Sequence, residues 1–148
     1  LVDGVAAASG ASFTAMTNAK PRPQVISIHD VPRLSAEEAP TKVPIARIIT
    51  KERCGSNLLL GACWMEPGDE SNLWSSGEVT ETDVDHHYGA VDETYFIVRG
   101  RLRLTWDEGE LEIGPDDCVY LAPGWRYQLK NVGDEAAFFV YGMTPTPE

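Results

Sequence analysis

Basic charge is scarce in this chain. Its 12 Lys and Arg face 23 Asp and Glu, for a net charge of -11 over 148 residues. A field of that sign repels phosphate backbones, so nucleic acid is not an expected partner. Long apolar runs are missing as well. Nothing approaches the roughly 18 consecutive apolar residues that cross a bilayer, and membrane insertion is not expected. Cysteine is sparse and odd in number: Cys54, Cys63 and Cys118 form no C-x-x-C pair, which argues against a thiolate zinc site or a redox dithiol. Cys63 and Cys118 lie in apolar, strand-like runs, where a free thiol acts as a small buried hydrophobe. This usage fits a reducing, cytoplasmic compartment. Residues 1–20 have neither a basic start nor a long apolar centre, so they do not read as a secretory signal. Met16 offers itself as a natural start, which would leave residues 1–15 outside the native chain; the two alternatives stand level.

Helical periodicity is also lacking, and in its place the chain shows short apolar stretches cut by Gly and Pro. Val25–Ile28 reads as an edge strand. Strands follow at Ile45–Ile49, Leu58–Met65, Thr94–Val98, Arg101–Trp106, Leu111–Ile113, Cys118–Leu121, Arg126–Leu129 and Ala136–Gly142. Leu102, Leu104 and Trp106 alternate with Arg101, Arg103 and Thr105, which marks one buried and one wet face. Turns at Pro67-Gly68, Gly100, Glu108-Gly109, Gly114-Pro115 and Pro123-Gly124 separate the runs. The pattern predicts a single all-β domain, a sandwich or barrel, over residues 25–143. An irregular arm, 1–24, precedes it and a short tail, 144–148, follows.

Two of the three histidines in the chain stand in one stretch, Asp85-His86-His87-Tyr88, with Asp92-Glu93 just after. Imidazole, phenol and carboxylate so close together form a mixed nitrogen and oxygen set that suits zinc, iron, manganese or nickel. The stretch runs into a strand ending at Gly100. A second cluster, Gly114-Pro115-Asp116 through Pro123-Gly124-Trp125-Arg126-Tyr127 to Asn131, lies beyond. Together the two resemble the paired motifs of the cupin superfamily. His86, Glu93 and Gly100 occupy the His, Glu and Gly places of the first motif. Gly114, Pro123, Gly124 and Asn131 match the second. Tyr88 and Tyr127 stand where two further histidines belong. Seventeen residues, Asp69–Asp85, separate the Pro67-Gly68 turn from the first motif, where cupins generally have only a few. A loop of that length on a compact barrel usually lines or covers a site.

The resemblance implies a cupin-type antiparallel β-barrel, a jelly roll, with a site at its mouth. His86, Glu93 and Tyr127 are then the expected ligands of a divalent transition metal. Tyr127, Tyr88 and His87 are the expected acid–base groups. Neighbouring residues on an extended segment point opposite ways, so only one of His86 and His87 is expected to face the pocket, with His86 favoured. Cupin dioxygenases generally hold iron with three histidines and a glutamate, and the motif positions here do not supply that set. The resemblance therefore favours a non-redox enzyme, a lyase, isomerase or cyclase acting on a small oxygenated molecule. A metal-free binding or accessory cupin, similar to those of ethanolamine utilisation, is the alternative, and an iron dioxygenase comes third. Cupins often pair through edge strands, which are a liability when left open; a homodimer is expected.

Overall fold

The computed structural model describes residues 20–76 and 84–147. The arm residues 1–19 and the middle of the long loop, 77–83, lie outside the described residues, as does Glu148. The eleven strands are β1 (Arg33–Leu34), β2 (Ile45–Ile49), β3 (Leu59–Met65), β4 (Trp74–Ser75), β5 (His86–His87), β6 (Asp92–Arg99), β7 (Leu102–Trp106), β8 (Gly109–Ile113), β9 (Cys118–Leu121), β10 (Arg126–Asn131) and β11 (Ala137–Thr144). Among the described residues helix is limited to a 3-10 turn, Ile28–Asp30, and one short α-helix, α1 (Lys51–Cys54).

The strands form two sheets, one ordered β1-β2-β3-β11-β6-β9 and the other β5-β4-β10-β7-β8. The all-β barrel of facing sheets expected from the sequence is the fold observed. Its pairings are antiparallel apart from β4 with β5, which run parallel. Alternation decides what enters the space between the sheets. β6 turns Glu93, Tyr95 and Ile97 inward, while Asp92, Thr94 and Phe96 face out. β11 sends in Ala137, Phe139, Tyr141 and Met143. β10 contributes Tyr127 and Leu129, and Leu102 and Leu104 of β7 close the floor. The shared core is aromatic and aliphatic, and Tyr95 meets Phe139 at a ring distance of 4.9 Å.

Three local expectations are corrected. Val25–Ile28 is not a strand: the chain is irregular there and then coils into the 3-10 turn, with Val25 fully exposed, because no neighbouring strand offers it a ladder. Cys118 is exposed, because the register of β9 turns Val119 and Leu121 inward instead. The long loop is not all loop. It carries β4, which pairs with β10 through Trp74↔Tyr127 and Ser75↔Arg126. Among the described residues no helix is long and apolar enough to cross a membrane.

Candidate functional site

Glu93 is the second residue of β6, at the point where the strand enters the barrel. Its neighbours across the sheet are Met143 and Leu121, neither of which can solvate a charge. The side chain is 3% exposed, and the indole Nε1 of Trp74 donates a hydrogen bond to Oε1 at 3.2 Å. Burial penalises the carboxylate more than one neutral donor can offset. The carboxyl pKa is pushed up to about 8. A group poised there exchanges its proton near neutral pH.

The cavity around Glu93 is narrow, with a volume of about 30 Å³. Trp74, Tyr88, Tyr95, Tyr141 and Cys63 line it with Glu93, and aliphatic residues such as Ile45 and Leu129 fill the rest. Burial is the main reason that Tyr88, Tyr95 and Tyr141 all have raised phenol pKa values, with the Glu93 charge adding to the effect. At neutral pH these phenols are therefore protonated donors rather than bases. Burial also holds the Cys63 thiol in its protonated form, so it is no nucleophile.

Gly61 on β3 explains how Tyr141 fits. The two residues are directly paired, and a Cβ at position 61 would collide with the Tyr141 ring. The missing side chain makes the seat for the phenol. Arg47 on β2 hydrogen-bonds Tyr141, and its charge also reaches Tyr88 and His86. An arginine on a strand reads as a solvated outer residue, yet this one is half-buried beside the phenols.

The residues expected from the motifs divide. Glu93 and Tyr88 line one cavity. Tyr127 lines another, and its hydroxyl donates to the Ala122 carbonyl at 2.6 Å. Burial pushes its pKa up to about 12. His86 stands edge-on to Tyr88, with ring centres 4.4 Å apart, and is in neither lining. Its pKa is lowered by burial first and then by the charges of Arg47 and His87. His87 has both ring nitrogens shut off from solvent with no hydrogen-bond partner among the described residues. Of the neighbours in this segment it is Tyr88, rather than His86, that faces the cavity.

The metal set of His86, Glu93 and Tyr127 thus does not converge on one space. Among the described residues no three His, Cys, Asp or Glu side chains are placed to hold an ion. A phenol already spent on a carbonyl is a poor ligand. The side chains described do not fit a resident dication, and no step below is routed through one. Trp74, Tyr95, Tyr141, Cys63 and Arg47 were not expected as site residues. They come from strands far apart in sequence, where only the sheet order brings them together.

Residues 74–141 match the family described as Cupin domain. A curated relative, polyketide synthase CurC of Streptomyces cyaneus, is 21% identical over 126 residues, covering 85% of this chain and 72% of that protein. Among solved structures, a predicted oxalate decarboxylase from Thermotoga maritima superposes with a TM-score of 0.64 at 16% identity. That match covers 82% of this chain and 99% of the other. The polyketide cyclase RemF from Streptomyces resistomycificus also superposes with a TM-score of 0.64, at 13% identity, over 83% of this chain and 80% of its own. At these identities the structural matches speak for the fold.

Proposed function

Because the chain belongs to the cupin superfamily, we propose that it is a non-redox cupin enzyme whose Glu93 moves a proton on a small oxygenated molecule. Cyclisation is the preferred reaction within the lyase, isomerase and cyclase group. The names of the relative and of the RemF neighbour support it, and they suggest a chain bearing several carbonyl groups as the substrate class. The observation that carries the reading is a carboxyl sealed inside an aromatic cavity with its pKa pushed up to about 8.

The chemistry follows from the lining. The carbon between two carbonyls is acidic enough for a carboxylate base to remove its proton. Ionised Glu93 takes that proton onto a carboxyl oxygen, leaving an enolate. The phenols of Tyr88 and Tyr141 donate hydrogen bonds to the enolate oxygen, and the Arg47 charge stabilises it further. Attack of the enolate carbon on a second carbonyl closes the ring and creates an alkoxide. The proton on Glu93 returns to that oxygen, so the group is base and then acid within one cycle. The mostly apolar walls keep water from competing.

A homodimer in a reducing, cytoplasmic setting belongs to the same reading. Phe96 and Val98 are exposed on the outer face of β6, and all three cysteines are free. The second reading is a binding cupin without turnover. On its side is the fact that Tyr127, the residue in the second-motif His place, is engaged by the Ala122 carbonyl.

The test is proton exchange. A simple 1,3-diketone such as 2,4-pentanedione is incubated with the protein in deuterium oxide, and loss of its central C–H signal is followed by NMR. The proposal expects exchange well above the buffer rate, and about a 100-fold loss in Glu93→Gln, the scale of a lost general base. Exchange equal to that of buffer, or equal in the variant, would leave the binding reading in place.

A further inference from the structure

The second cavity shares no lining residue with the Glu93 cavity and belongs to none of the chemistry above. It measures about 160 Å³. An apolar cavity of about 150 Å³ is enough to take a benzene-sized guest. It opens where β8 and β9, each the last strand of its sheet, leave a gap between the sheets. Leu104, Val119 and Tyr127 form a buried floor. Trp106 and Trp125 are half-buried walls, and Leu111 at the rim is 47% exposed.

We infer that this cavity is a second ligand site, separate from the Glu93 site, for a flat, uncharged, aromatic small molecule. Two observations fix that chemistry. Among the described residues no charged side chain lines the cavity, although 24% of the chain is charged. An ionic ligand would lose its water and meet no counter-charge. The two phenol hydroxyls that line it are already engaged: that of Tyr127 donates to the Ala122 carbonyl at 2.6 Å, and that of Tyr120 donates to Asp92 Oδ1 at 2.6 Å. Ring stacking and shape are then the main means of recognition, and the two indoles supply both. Trp106 and Trp125 both border the cavity, so a guest there would meet two indole rings.

The test uses N-phenyl-1-naphthylamine, a neutral dye that brightens in apolar sites, titrated into the full chain. Saturable binding is expected, weakened at least 10-fold by Leu111→Glu at the exposed rim and by Trp125→Ala at the wall. Glu93→Gln and Tyr88→Phe, in the other cavity, are expected to leave affinity within 2-fold. Circular dichroism and the melting temperature of each variant establish that it is folded, and the part-exposed positions 111 and 125 make two independent probes. No saturable binding by the wild-type chain overturns the inference. So does binding that responds to the Glu93-side variants and ignores the other two. Displacement of the dye by choline would overturn the assignment to an uncharged ligand, in favour of a cation held by the aromatic walls.

Discussion

Trp74 and Glu93 are joined by one hydrogen bond, 3.2 Å from indole Nε1 to carboxyl Oε1, in the interior of the barrel. It connects the short strand β4, embedded in the long loop, to the residue that the motif frame singles out. The bond is a brake on the pKa of Glu93, because an N–H donor favours the ionised form.

Trp74→Phe releases that brake. The ring keeps most of its packing, but the donor is gone. The inflection of diketone exchange against pH is expected to move above its wild-type value near pH 8, as followed by NMR. An unchanged inflection would mean that the indole does not tune the carboxyl.

The wild-type exchange rate is expected to rise with pH and level off above about 8, since the base is the ionised carboxylate. Glu93→Gln should show no such rise.

Stability should show the opposite trend. Glu93 keeps its proton in the fold up to about pH 8, while in the unfolded chain it ionises near its ordinary value of 4.5. Between those values the folded state holds more protons, so stability falls as pH rises and flattens above the upper one. Glu93→Gln removes this dependence. By urea unfolding, the variant should gain on the wild type across the window, by an amount on the order of a few kcal/mol.

Tyr127→Phe distinguishes a barrel-wall tyrosine from an acid–base one. The geometry expects exchange within a few-fold of wild type, together with a stability loss of about 1 kcal/mol from the lost Ala122 hydrogen bond. A fall of about 100-fold at unchanged stability would return Tyr127 to the chemistry. Dialysis against EDTA bears on the same question, since exchange that survives it needs no resident dication.

Phe96 and Val98 face outward from β6 at 45% and 44% exposure. Light scattering at micromolar concentration is expected to show a dimer, and Phe96→Lys to shift it toward monomer. A monomeric wild type would remove the proposed interface.

The strands were legible where one face is wet. Leu102 and Leu104 alternate with Arg101 and Arg103 because β7 packs on one side only, and the structure keeps that register. β4 was not legible. A strand of two residues has no period, and what holds Trp74 in place is its pairing with Tyr127, far along the chain. The candidate site divides in the same way. Glu93 and Tyr88 sit inside a motif, where spacing gives them away. Tyr141 and Cys63 reach the cavity, and Arg47 reaches Tyr141, from strands that only the sheet order makes neighbours. Tyr127 holds its motif place, but the Ala122 carbonyl captures its hydroxyl, and spacing cannot show a local bond of that kind.

The vacancy at Gly61 ties two distant positions into a single heritable unit. A methyl group at 61 has nowhere to go while a six-membered ring stands at 141, and removing only the phenol oxygen would not help, because ring carbons obstruct as well. Drift at either site is therefore channelled: a lineage shrinks position 141 before it enlarges position 61, and it passes through an intermediate that has lost one of its cavity phenols. The breadth of substrates reachable by gradual change is thus limited by a residue that has no side chain.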